Sequence, residues 1–282
     1  MLRPYMVTVK EQNMPAYICK TCGVQFTESD NPPETCPICE DERQYVGHNG
    51  QQWTTLDELR SEHHNVFEDV EDNLIRIQTT PGFAIGQTPF FIKTPQGNVL
   101  WECNSLIDDA TVETINQHGG LSAIGVSHPH FYDSMVEWSH AFGNIPIYLH
   151  ESNRQYVMCP DDVIHYWSDE TFAINDSLTI IRCGGHFEGS SVLHWADGAE
   201  GRGVLLTGDT IMVASDRRYV SFMYSFPNYI PMNASGVRQI VAAIDTFDYD
   251  RIYSPWANKV VESGAKNAVH RSMERYIQHI SG

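Results

Sequence analysis

Two Cys-x-x-Cys pairs, Cys19-Lys20-Thr21-Cys22 and Cys36-Pro37-Ile38-Cys39, constrain this 282-residue chain more than any other feature. Each pair sets two thiols on a tight turn, and two such turns face to face make a tetrahedral S4 metal site. No apolar leader follows Met1-Leu2-Arg3-Pro4-Tyr5 and the cysteine count, seven, is odd, so a secreted disulfide framework is not expected. The remaining Cys103, Cys159 and Cys183 are scattered among apolar residues and read as buried thiols. A segment of some 45 residues buries little core, so a metal is expected to supply its folding energy.

The knuckles resemble a rubredoxin-type zinc ribbon, expected over residues 1–45. The insert between them is shorter than in rubredoxins, and Glu40 replaces the usual glycine. Both departures favour a structural zinc over an electron-transfer iron. Residues 46–53 read as a linker into a catalytic domain spanning 46–282.

Lys and Arg number 18 against 36 Asp and Glu, a formal net charge of −18. Nucleic-acid and anionic-membrane partners need clustered cations, so neither is expected. The ribbon gives the same answer, with four basic residues against seven acidic ones over 1–45. Without an apolar run long enough to span a bilayer, the expectation is a cytoplasmic protein acting on a small molecule, and a homo-oligomer is compatible with it.

Short apolar runs bounded by turn residues predict strands at 74–79, 90–94, 99–103, 124–127, 146–149, 171–174, 178–183, 191–195 and 203–207. Helical spacing predicts helices from the Thr55-x-x-Glu58 capping box to His63 and at 134–142, 236–247 and 260–280. Such a mixture argues α/β or α+β.

Three strands end in chemistry-bearing residues. Ile124–Ser127 runs into His128-Pro129-His130, whose rings point to one side if the segment is extended. Leu178–Cys183 ends in Gly184-Gly185-His186, and Val204–Thr207 ends in Gly208-Asp209. This order resembles the metallo-β-lactamase fold superfamily over roughly residues 70–260, and within it a branch of predicted hydrolases, some with a zinc-ribbon extension. The resemblance implies a four-layer αββα sandwich, class α+β, with a metal site at one edge of its two sheets. It also implies that His128, His130 and His186 are the imidazoles of a first metal site, and that Asp209 faces a second.

The chain departs from that pattern. Tyr132 stands for the usual aspartate of the first motif and Asp133 for the usual histidine. Ser254-Pro255-Trp256-Ala257 lacks the late histidine, and Glu102 replaces an early aspartate. One zinc, or a second around Asp133 and Asp209, is therefore implied, with iron as the alternative. Zinc held by three imidazoles lowers the pKa of bound water to ~7. Asp209 and Asp133 are candidates to orient that water, and Tyr132 to donate to an oxyanion. Asp133 has an equal alternative beside a Ser134-x-x-Glu137 capping box. Glu102 is expected to orient a ligand, and His150 is a candidate late ligand. Arg217, Arg218, Tyr219 and Tyr224 lie in an aromatic stretch that walls either a substrate pocket or a subunit contact.

The leading expectation is a metal-dependent hydrolase of a small ester, thioester, lactone or phosphoester. The alternatives are a mononuclear iron oxidoreductase built on two histidines and Asp209, and an inactive module that binds through its ribbon.

Overall fold

Alternating and continuous apolar runs fold here into two packed sheets. The computed structural model describes residues 14–281, so the first 13 residues of the expected ribbon, and Gly282, lie outside the described residues. A small sheet opens the chain, with β1 (Ala16–Cys19) between β2 (Gln25–Glu28) and β3 (Trp53–Thr55). The knuckle turn α1 (Pro37–Glu40) follows β2. β3 starts at Trp53, the last residue of the segment read as a linker, and pairs antiparallel with β1. Helix α2 (Leu56–Glu62) starts at Thr55 with the capping box the sequence predicts.

The first large sheet runs β10-β9-β8-β7-β6-β5-β4. Its strands are β4 (His64–Glu71), β5 (Leu74–Thr80), β6 (Phe90–Ile92), β7 (Val99–Trp101), β8 (Ala123–Gly125), β9 (Ile147–His150) and β10 (Ile164–Trp167). The second runs β11-β12-β13-β14-β19-β20. It comprises β11 (Thr171–Ala173), β12 (Leu178–Arg182), β13 (Ser191–Trp195), β14 (Val204–Leu206), β19 (Arg251–Tyr253) and β20 (Val260–Val261). Between β14 and β19 come two hairpins, β15 (Met212–Val213) with β16 (Val220–Ser221) and β17 (Met223–Ser225) with β18 (Ile230–Pro231).

Trp101, Phe90, Leu193, Trp195 and Leu206 fill the space between the sheets. Each such side chain contributes roughly 1.5–3 kcal/mol by leaving water. Outside the first sheet lie α3 (Asp109–Gln117) and α4 (Met135–Ala141). Outside the second lie α6 (Ala234–Ile244), beyond the single turn α5 (Gly198–Gly201), and α7 (Ala265–Ile280). Val237, Ile240, Val241 and Ile244 form the buried stripe of α6, as their spacing predicts. The architecture is the α+β, four-layer αββα sandwich. Among the described residues no helix is long and apolar enough to cross a membrane.

The ribbon is part of this body. Ile18, Val24 and Ile38 share one apolar cluster with Leu100, Ile124 and Trp138 of the sandwich. Gln25 N–H donates to the Asp133 carbonyl at 2.9 Å, Thr27 N–H to the Met158 carbonyl at 3.2 Å, and Ser105 Oγ to the Gly23 carbonyl at 2.9 Å. Gly23 has φ +87°, and a Cβ there would strike the Asp133 carboxylate and stand 2.6 Å from Ser105 Oγ. Gly50, at φ +78°, faces open space. Gly50→Ala should therefore cost only the ~1–2 kcal/mol of a left-handed residue. Gly23→Ala should cost at least ~1 kcal/mol more, through the clash with Asp133 and Ser105. Urea unfolding of the two variants measures the difference.

Candidate metal centre

The site grows from three strand ends that meet at one edge of the sandwich. β8 leads into Ser127-His128, the β12–β13 turn carries His186, and β14 leads to Asp209. Ser191 N–H donates to the Ser127 carbonyl at 3.1 Å and ties two of these ends together. The His128-Pro129-His130 segment is not an extended strand. Pro129–Phe131 forms a 3-10 turn, and the two rings converge because of it.

Asp209 Oδ2 lies 3.5 Å from His128 Nε2, 3.9 Å from His130 Nδ1 and 3.7 Å from His186 Nε2. His186 Nε2 and His130 Nδ1 are 3.2 Å apart. A tetrahedral zinc with ~2.0–2.1 Å bonds separates its donors by about 3.3–3.4 Å. The three imidazole nitrogens and Asp209 Oδ2 thus lie close enough together to surround one ion, and His128 Nε2 has no hydrogen-bond partner among the described residues. Two far ring nitrogens are engaged, His186 Nδ1 with the Met223 carbonyl at 3.2 Å and His128 Nδ1 with Ser127 Oγ at 2.8 Å, whereas His130 Nε2 has no partner among the described residues. Such bonds aim the opposite nitrogen at a metal.

Electrostatics agrees with that fit. Burial pushes His128 down to about 4 and, with His128 and His130 as neighbours, pushes His186 well below its ordinary value. Burial raises the Asp209 carboxyl, but the neighbouring His128, His130 and His186 rings outweigh it and hold it well below the carboxylate range. The result is that His128 and His186 are neutral beside an ionised carboxylate, the protonation states a cation needs. Glu102, fully buried, accepts from Ser127 N–H at 3.0 Å, and burial raises it to about 8.

The four knuckle cysteines form a second group. Cys19 and Cys39 Sγ are 3.5 Å apart, and Cys22 and Cys36 Sγ 3.6 Å. A zinc with ~2.3 Å bonds to sulfur needs about 3.8 Å. Hydrogen bonds from Cys22, Cys36 and Cys39 hold Cys19 far below the ordinary thiol value, while burial pushes Cys22 up. Four thiolates can share this space only around a cation.

Several residues singled out in the sequence lie elsewhere. Asp133 does not join the imidazoles. Its φ of +43° turns the carboxylate under the ribbon, where it accepts from Gln87 Nε2 and, at 2.5 Å, from Ser105 Oγ. It lines a separate cavity of about 70 Å³ with Asn104 and Gln87. Burial pushes its pKa well above the ordinary value. It caps no helix, and Ser134 forms no capping box because its hydroxyl donates to the Asn104 and Ser105 carbonyls. Tyr132 is buried, beside Asn153, and is not among the residues lining the imidazole cavity. Arg217 and Arg218 are exposed, and Arg218 pairs with Asp216. Tyr219 packs under Arg271 and Arg275 of α7. Tyr224 donates to Glu42 at 2.5 Å, facing the ribbon. His150 caps the turn that follows β9. Cys159 is only half-buried, unlike Cys103 and Cys183.

A cavity of about 310 Å³ opens beside His130, His186 and Asp209. Its wall includes Ile85, Phe226 and Trp256, the last in the segment where the late histidine was missing. The ribbon closes it with Gln44 and Tyr45. Arg43 secures that closure. Its guanidinium donates to both Asp41 oxygens at 2.6 and 2.7 Å, to Tyr156 Oη at 2.9 Å and to the His186 carbonyl at 3.1 Å. It also stacks 3.7 Å above the Phe187 ring. Nothing in the spacing of residues 41–45 signals this role.

No family model matches the chain. It is 48% identical over 270 residues to the uncharacterized protein YmaE of Bacillus subtilis (strain 168), covering 95% of this chain and 98% of YmaE. The chain belongs to the YmaE family. The fold of this family member is that of the metallo-β-lactamases. The DIM-1 metallo-β-lactamase superimposes with a TM-score of 0.57 at 13% identity, over 77% of this chain and 98% of that one. The mono-zinc form of FIM-1 from Pseudomonas aeruginosa gives 0.56 at 14% identity, over 77% and 96%.

Protein purified without added metal should carry about two ions per chain. His186→Ala should lose one and keep the other, whereas Cys39→Ser should release the ribbon ion. Elemental analysis of the three proteins checks this.

Proposed function

We propose that this chain is a metal-dependent hydrolase of a small ester, thioester, lactone or phosphoester. The observation that carries the reading is the convergence of three imidazole nitrogens, with Asp209 Oδ2 3.5–3.9 Å from them, beside a cavity of about 310 Å³. His128, His130 and His186 would hold one zinc, and the four cysteines another. Asp133 points elsewhere, which favours a single ion at the histidine site, and FIM-1 shows that this fold has a mono-zinc form. Three imidazoles favour zinc over an iron held by two histidines and one carboxylate.

When bound, zinc supplies a Lewis acid and brings water in its open position to a pKa of ~7. The chain's own residues do the rest. Asp209 Oδ1, buried without a partner, accepts the hydrogen bond of the attacking water. The water oxygen bonds to the acyl or phosphoryl centre, the bond to the leaving oxygen or sulfur breaks, and Asp209 relays the proton to that leaving atom. Ile85, Phe226 and Trp256 exclude bulk water. The ribbon holds His186 in place through Arg43, a structural part we assign to it in preference to partner binding.

Asp209→Asn in the zinc-loaded protein should lower kcat on p-nitrophenyl esters at least ~100-fold while the ribbon metal stays bound. Undiminished turnover would remove Asp209 from the mechanism. No zinc-dependent turnover of any ester, thioester, lactone or phosphoester by the parent protein would remove the hydrolase reading.

A further inference from the structure

The ribbon reaches the cavity with a side chain that has nothing to bind. Gln44 is only 5% exposed, and its Oε1 has no hydrogen-bond partner among the described residues. An amide left so costs roughly 1–3 kcal/mol. Its backbone is fixed at both ends, since Gln44 N–H donates to the Asp41 carbonyl at 2.9 Å and the Gln44 carbonyl accepts from Asn228 Nδ2 at 2.9 Å. The side chain lines the same cavity as His130, His186 and Asp209.

The rest of that wall narrows what enters. Ile85, Phe226 and Trp256 offer apolar surface. The nearest guanidinium, Arg43, is spent on Asp41, Tyr156 and the His186 carbonyl and is covered by Phe187. Arg217 and Arg218 are outside. Among the described residues, and apart from a metal, the cavity presents no cation to a carboxylate or phosphate tail.

We propose that Gln44 is a specificity-determining residue contributed by the ribbon, and that the substrate is an uncharged acyl compound. Its acyl part carries an amide N–H or a hydroxyl, which donates to Gln44 while its apolar part lies against Trp256 and Phe226. This assignment deepens the hydrolase reading and rests on it for the orientation of the scissile group toward the histidines.

Hydroxamates bind zinc whether or not the protein hydrolyses anything, so they test recognition separately. N-acetylglycine hydroxamate and levulinic hydroxamate differ only by N–H against CH2 at the position in question. Calorimetry on the zinc-loaded full chain should show about a tenfold preference for the N–H compound, which is ~1.4 kcal/mol. Gln44→Met should bring that ratio to about one, while Gln44→Glu, which keeps an acceptor at the same reach, should retain it. Metal content and thermal midpoint report whether each variant folds. A ratio of one in the parent protein, or an unchanged ratio in Gln44→Met, overturns the proposal. Discrimination between the hydroxamates without turnover of the matching p-nitrophenyl esters supports the Gln44 assignment and overturns the hydrolase reading instead.

Discussion

Arg43 is the interaction on which the rest of this architecture turns. A guanidinium buried this far is tolerable only when its N–H groups are paired, and here the partners come from three parts of the chain. Asp41 belongs to the ribbon, Tyr156 to the turn after β9, and the His186 carbonyl to the loop that presents a metal-directed imidazole. One side chain therefore couples the position of the sulfur cluster to that of the nitrogen cluster. Ser225 and Asn228 strengthen the coupling by bonding the carbonyls of Arg43, Glu42 and Gln44. The ribbon is held as a wall of the cavity, and the histidine loop is held as a shelf beneath the ribbon.

The parts of the site written in local sequence were legible. A histidine or aspartate placed after an apolar strand and beside glycine is exposed at the strand's end wherever the strand packs, so His128, His130, His186 and Asp209 could be found without a structure. The same holds for the knuckles, whose spacing alone defines a cluster. Asp133 and Tyr132 were misplaced for a reason that no spacing shows. The 3-10 turn at Pro129–Phe131 and the left-handed backbone at Asp133 carry Tyr132 and Asp133 away from the imidazoles. Arg217 and Arg218 looked like part of a pocket wall only because they follow Asp209 in sequence. The intervening hairpin carries them toward α7.

The missed elements share a cause. β4 is the longest strand of its sheet yet reads as a polar run, because it lies at the sheet edge with charges outward. β10 sits at the opposite edge, and α3 has a weak apolar stripe with only Thr111 and Ile115 buried. Edge elements bury too little for hydrophobic periodicity to show. Gln44 and Tyr45 escaped notice for the opposite reason, since their role comes from a long-range contact that their neighbours do not announce. The acidity visible from the start is a property of the outer surface. Of the carboxylates among the described residues, only Asp209 lies among the imidazoles, with Glu102 behind it.

The shared core of ribbon and sandwich also fixes an order of assembly. The knuckles are made before the sandwich, and four thiols can take up a metal as soon as Cys39 has emerged. Their docking partners, Ser105, Asp133, Met158 and Asn228, are made much later. The apolar Ile18, Val24 and Ile38 side of the ribbon therefore stays unpaired until Leu100, Ile124 and Trp138 of the first sheet and α4 have been made. The cavity is enclosed later still, since its wall includes Phe226 and Trp256, far along the chain from the knuckles.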